Sequence, residues 1–113
     1  MYLQNKGSKF TMEKTLHWEE RNARNEFIKN KIGIGNPIRT FKWDKGHPNG
    51  PELHTITDTG IIIVRNERTN KLVTTLIARP GQIYRYYINE NDVPPKFLMD
   101  IAQEHTDAGY NYK

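Results

Sequence analysis

A chain of 113 residues with no cysteine has the length of one domain with one modest core. The missing thiols exclude disulfides, thiolate nucleophiles and zinc sites built on sulfur. Mean hydropathy is low at -0.84, yet two Trp, six Tyr and four Phe argue for a folded chain rather than a disordered one. Net charge is +4 and unevenly spread: +3 over residues 1–35, +4 over 36–89 and -3 over 90–113. A basic excess confined to the first three quarters is the footprint of a polyanion binder, because each neutralised phosphate releases a condensed counterion. No apolar run approaches the roughly 20 residues that span a bilayer. The opening "MYLQNKGSKF" lacks the apolar stretch of a secretory leader, so the expectation is a cytoplasmic protein with no membrane partner.

Taken in chain order, residues 11–32 contain no Gly or Pro and repeat Leu16, Ala23, Phe27 and Ile28 at near-helical spacing. A helix is predicted, capped by Thr11 or Ser8 and ended by "GIGNP". Glu13 with His17 and Glu20 with Arg24 form i,i+4 pairs on its solvated side, where His17 and Arg21 also lie one turn apart. From Pro37 the pattern changes to short strands. "IRTFKWD" sets Phe41 and Trp43 against Thr40 and Lys42, and "LHTITD" sets His54 and Ile56 against Leu53, Thr55 and Thr57, as half-buried strands do. "IIIVRN" is a buried strand, and "KLVTTLIAR" a fourth that ends at Pro80 and Gly81. Short connections favour an antiparallel meander, with a fifth short strand expected at Ile83–Tyr87. "VPPKFLMDIAQEHTD" then reads as a closing helix with Pro94 and Pro95 at its start and Phe97, Leu98, Ile101 and Ala102 as its apolar stripe. His105 sits at its dipole-favoured end. The fold class is α+β: an N-terminal helix, a four- to five-stranded antiparallel meander and a short C-terminal helix in one domain, with residues 1–10 and 107–113 frayed.

The chemistry is defined first by what is missing. There is no Gly-rich phosphate loop, no G-x-S-x-G elbow and no carboxylate pair at motif spacing. His47 and His54 are seven residues apart across a loop whose acidic neighbours are Asp44 and Glu52, which is not a recognised ligand spacing. No metal and no cofactor are expected. What remains is acid–base chemistry on a phosphodiester, in which a histidine takes a 2′-hydroxyl proton while cations stabilise the phosphorane. An up-down sheet with a polar face offers His54, Lys42, Thr74 and Arg79 as catalytic candidates. Arg65, Tyr84, Arg85, Tyr86 and Tyr87 are the nucleic-acid-binding candidates, since tyrosines with an interleaved arginine stack on single-stranded bases. Each has a plainer alternative: His54 as a half-exposed strand histidine, His47 as a turn residue, "YRYY" as packing of the sheet against the second helix.

The hairpin "HTITDTGIIIVRNERTNKLVTTLIARP", following a basic helix, resembles the metal-independent ribonuclease toxins that group barnase, colicin D, EndoU and RelE. The likeness covers residues 38–79 and is one of strand and turn types. It implies a metal-independent endoribonuclease, with Thr74 of "KLVT" matching best and His54 and Arg79 by position. The chain departs from that pattern in continuing some thirty residues beyond the last strand into an acidic helix. A different class fits the same composition: a phage or mobile-element accessory protein that acts by binding. An example is an anti-CRISPR-type inhibitor of a host nucleic-acid-processing protein, with "IARPGQIYRYY" as its contact patch.

Overall fold

The computed structural model describes residues 22–46 and 48–112. The predicted helix start, His17, Arg21, the N-terminal fraying and His47 lie outside the described residues. Helix α1 is described from residues 22–27 and continues as a π-helical turn, Ile28–Ile32. It stops at Gly33, whose φ of 86° lets its N–H turn back to Ile28 O at 2.6 Å. Four strands follow: β1 Pro37–Trp43, β2 Glu52–Thr57, β3 Ile61–Asn66 and β4 Leu72–Ile77. Every adjacent pair is antiparallel and the order is β1-β2-β3-β4, the expected meander. Then come helices α2, Pro80–Asn89, and α3, Lys96–Asp107, and a 3-10 turn, Tyr110–Tyr112.

Strand alternation sorts the apolar residues into two clusters on opposite faces of the sheet. On one face Phe41, Ile56, Ile62 and Val64, flanked by Trp43 and Leu76, meet Ile83, Tyr86 and Tyr87 of α2 and Leu98 and Ala102 of α3. On the other, Ile61 and Ile77, with Ile63 beside them, meet Phe27, Ile28 and Ile32 of α1 and Tyr110. Gly60, between β2 and β3, has a φ of 79°, and a Cβ there would lie 2.9 Å from Ile101 Cγ2. A larger residue at this turn would force the Ile101 side chain of α3 to shift.

One expectation is corrected here. Residues 83–87 form no fifth strand but lie inside α2. Pro80 occupies the first turn, where its missing N–H costs nothing, and Ile83, Tyr86 and Tyr87 fall at i, i+3 and i+4, one helical stripe against the sheet. Beyond α3, two residues of the 3-10 turn contact the rest of the fold. Tyr110 packs edge-on against Phe27 at 5.1 Å, and Asn111 Nδ2 donates to Ile77 O at 2.9 Å and Ala78 O at 3.0 Å. His105, in the last turn of α3, is buried and donates from Nε2 to Thr59 O at 2.8 Å, so it ties the helix to the β2–β3 turn.

Candidate nucleic-acid interface

Register decides which predicted site residues can meet. Phe41 pairs with His54, His54 with Val64, and Val64 with Thr74, so these four form one row across the sheet. The next row is Lys42, Leu53, Arg65 and Leu72, and it points to the opposite face. A single polar face carrying both His54 and Lys42 therefore does not exist. Lys42 Nζ lies 3.5 Å from the Glu67 carboxylate, across the sheet from His54. Arg65 stands on that same far face.

His54 is not half-exposed: it is only 7% accessible. Its ring stacks on Trp43 with centroids 5.5 Å apart and planes 25° from parallel. Nε2 lies 2.9 Å from Glu52 Oε1, two residues earlier on the same strand face, and Nδ1 is hydrogen-bonded to the Tyr86 hydroxyl. A carboxylate only accepts, so Nε2 carries the proton toward Glu52, and Nδ1 of the neutral ring accepts the Tyr86 O–H. Burial, reinforced by the Glu52 charge and partly opposed by Arg85, pushes the Tyr86 phenol up to about 12. Near neutrality Tyr86 is thus a proton donor and not a base. Tyr87, the other tyrosine turned inward, meets Phe41 edge-on at 5.0 Å, and burial raises its phenol as well. "YRYY" therefore splits: Tyr86 and Tyr87 pack the sheet, while Tyr84, 52% accessible, and Arg85 face outward.

Beside His54 opens a cavity of about 200 Å³ lined by Trp43, His54, Leu76, Gln82, Arg85 and Tyr86. A second, of about 120 Å³, is lined by Arg24, Leu76, Ile77, Arg79, Gln82 and Asn111. Leu76 and Gln82 belong to both, so the two cavities adjoin each other between β4 and the first turns of α2. Arg79 stands at the N-cap of α2, and its N–H donates to Gln82 Oε1 at 2.9 Å. Arg24 reaches in from α1, donating from Nη2 to the Thr74 hydroxyl at 2.8 Å, while its Nε is buried with no partner among the described residues. At the other end Lys45 Nζ lies 4.7 Å from the Trp43 ring, a cation–π contact.

The structure thus gathers His54, Arg85 and Tyr86 around one cavity and places Arg79 in the next, with Thr74 held by Arg24 at the margin. Lys42, Arg65, Tyr84 and Tyr87 stand elsewhere. Sequence reasoning missed Glu52, Trp43, Gln82 and Arg24. Glu52 was readable, since i and i+2 on a strand share a face. Gln82 was readable as the third residue of a proline-started helix. Among the described residues no three His, Asp or Glu side chains come together to hold a metal ion, and no helix is long and apolar enough to cross a membrane. Compared with known proteins, the chain matches no family model, no curated protein and no solved structure.

Proposed function

We propose that this protein binds single-stranded RNA along the groove between β4 and α2 and acts by binding. One observation carries the proposal: the two adjoining cavities collect Arg24, Arg79 and Arg85 with Trp43 and Tyr86, and among the described residues no carboxylate lines either. Arginines spaced along a groove suit consecutive phosphates, and aromatic walls suit unstacked bases. A labelled RNA octamer titrated at several salt concentrations tests it. Affinity should fall with salt with a log–log slope near -2, about -0.7 for each of some three phosphates neutralised, and an Arg79→Ala/Arg85→Ala double variant should flatten the slope. A flat response in the parent protein sinks the proposal, and recovery of a host protein in its place favours the anti-CRISPR-type alternative.

A second reading, metal-independent RNA cleavage, is favoured by the Glu52–His54–Tyr86 chain at the wall of the larger cavity. For His54 to take a 2′-hydroxyl proton, the substrate would have to displace Tyr86 or Glu52 from a ring nitrogen. RNA incubated in EDTA would then acquire 2′,3′-cyclic phosphate ends, and His54→Ala would stop it. Intact RNA after prolonged incubation leaves binding as the activity.

A further inference from the structure

The larger cavity offers a guest an unbalanced set of polar groups. Gln82 Oε1 accepts the Arg79 N–H, and the amide's Nε2, with no partner among the described residues, is its donor end. Arg85 is exposed, makes no ion pair or hydrogen bond among the described residues, and has donors only. The two ring nitrogens of His54 are taken by Glu52 and Tyr86, and the Tyr86 proton is engaged with His54. Of the other lining groups, the Trp43 indole N–H donates only and the Tyr86 oxygen keeps its lone pairs. The open side-chain hydrogen-bonding capacity of the cavity is therefore weighted toward donors, Gln82 Nε2 and the Arg85 guanidinium, against the lone pairs left on the Tyr86 oxygen and on Gln82 Oε1.

Size narrows the guest further. At about 200 Å³ the cavity falls below the roughly 300–1,000 Å³ of sites for drug-sized ligands, and Trp43, Leu76 and Tyr86 give it flat, largely apolar walls. On an RNA strand the piece that fits is one unstacked base. Guanine carries the O6 and N7 acceptors along one edge and uracil carries O4, whereas adenine and cytosine put an amino donor there. An amino group set against Gln82 Nε2 and Arg85 would leave donors facing donors in a partly desolvated space.

We infer that this cavity is a base-specificity subsite that selects keto bases, guanine or uracil, over amino bases, with Gln82 and Arg85 reading the carbonyl edge. The inference rests on the proposed RNA groove. It goes further in assigning the groove a sequence preference and a residue that sets it.

The experiment compares adenine octamers of RNA carrying one central guanine, uracil or cytosine, by fluorescence anisotropy at fixed salt. The guanine and uracil octamers should bind about tenfold more tightly than the all-adenine and cytosine ones. Gln82→Glu keeps an oxygen for the Arg79 N–H but replaces the amide donor with an acceptor. Overall affinity should fall, and the ratio should shift at least fivefold toward cytosine and adenine. Circular dichroism melting of the variant checks that its fold is kept, and Gln82→Met, which offers neither donor nor acceptor, should level the four affinities. Equal binding of all four octamers by the parent protein, with salt dependence intact, overturns the keto subsite and spares the RNA reading. A parent preference that Gln82→Glu and Gln82→Met both leave unchanged overturns the role of Gln82. No binding of any octamer overturns the RNA reading and the subsite together.

Discussion

The two faces of the sheet are made by the same four strands in alternation, yet they are covered differently. Under α2 and α3 lies the larger cluster, with Ile56, Ile62, Ile83, Leu98 and Ala102 fully buried. The opposite face is covered over β3 and β4 by α1 and Tyr110, while on β1 and β2 it shows Thr40 and Thr55, whose hydroxyls pair at 2.8 Å, with Lys42 beside them. The most polar ring on either face, that of His54, nevertheless lies on the more deeply covered side. Its position follows from being two residues from Ile56 in a strict alternation, and it is tolerated because both ring nitrogens have partners. Burial here is decided by register and made affordable by hydrogen bonds, not by side-chain polarity.

Substitutions can break or sharpen this contrast. The largest effect is expected at Ile62→Ala, about 2–5 kcal/mol of lost stability in denaturant unfolding, because a fully buried side chain leaves a cavity. Ile63→Ala, half-buried on the other face, should cost clearly less, and equal losses would contradict the difference in cover. Next comes alkaline pH. The folded protein holds the Tyr86 proton to about 12 against 10.0 for an ordinary tyrosine. The corresponding stability is complete below pH 10 and is lost as pH rises through 12. At about 1.4 kcal/mol per tenfold change in proton affinity, it amounts to roughly 2–3 kcal/mol. Thermal melts from pH 9 to 12.5 should show this decline, and Tyr86→Phe should remove a large part of it; an identical profile in the variant would deny Tyr86 the role. Glu52→Ala, measured at neutral pH, should cost about 1–3 kcal/mol by leaving the buried Nε2–H of His54 without an acceptor. The smallest effect is expected at Thr55→Ala on the open face, below about 1 kcal/mol, the scale of one cross-strand pair.

The four strands were legible in the sequence because their signals are local. Phe41 and Trp43 alternate with Lys42, and "DTG" and "ERTN" supply turns whose positive-φ positions fall at Gly60 and Asn70. Helix α2 was obscured because "IYRYY" is made of residues that favour strands. Pro80 and the i, i+3, i+4 stripe pointed to a helix, and packing on the sheet decided the matter. The site divides in the same way. That His54 shares a face with Ile56 and Glu52 can be read from parity. Tyr86 lies 32 residues away, and Arg24 reaches Thr74 across 50, contacts that only the docking of helices on the sheet creates. The basic charge was visible in composition, but its gathering into one groove was not.

A meander of four strands has two borders, each presenting N–H and C=O groups on which a foreign strand could build. At β1 the border opens on Pro37, which has no N–H to give, and its pairing slips between Pro37 and Arg39. At β4 the pairing slips opposite Val64 and Arg65, and Arg24 and Asn25 clasp the hydroxyls of Thr74 and Thr75. Both borders thus present a foreign strand with an interrupted template in place of a regular row of donors and acceptors.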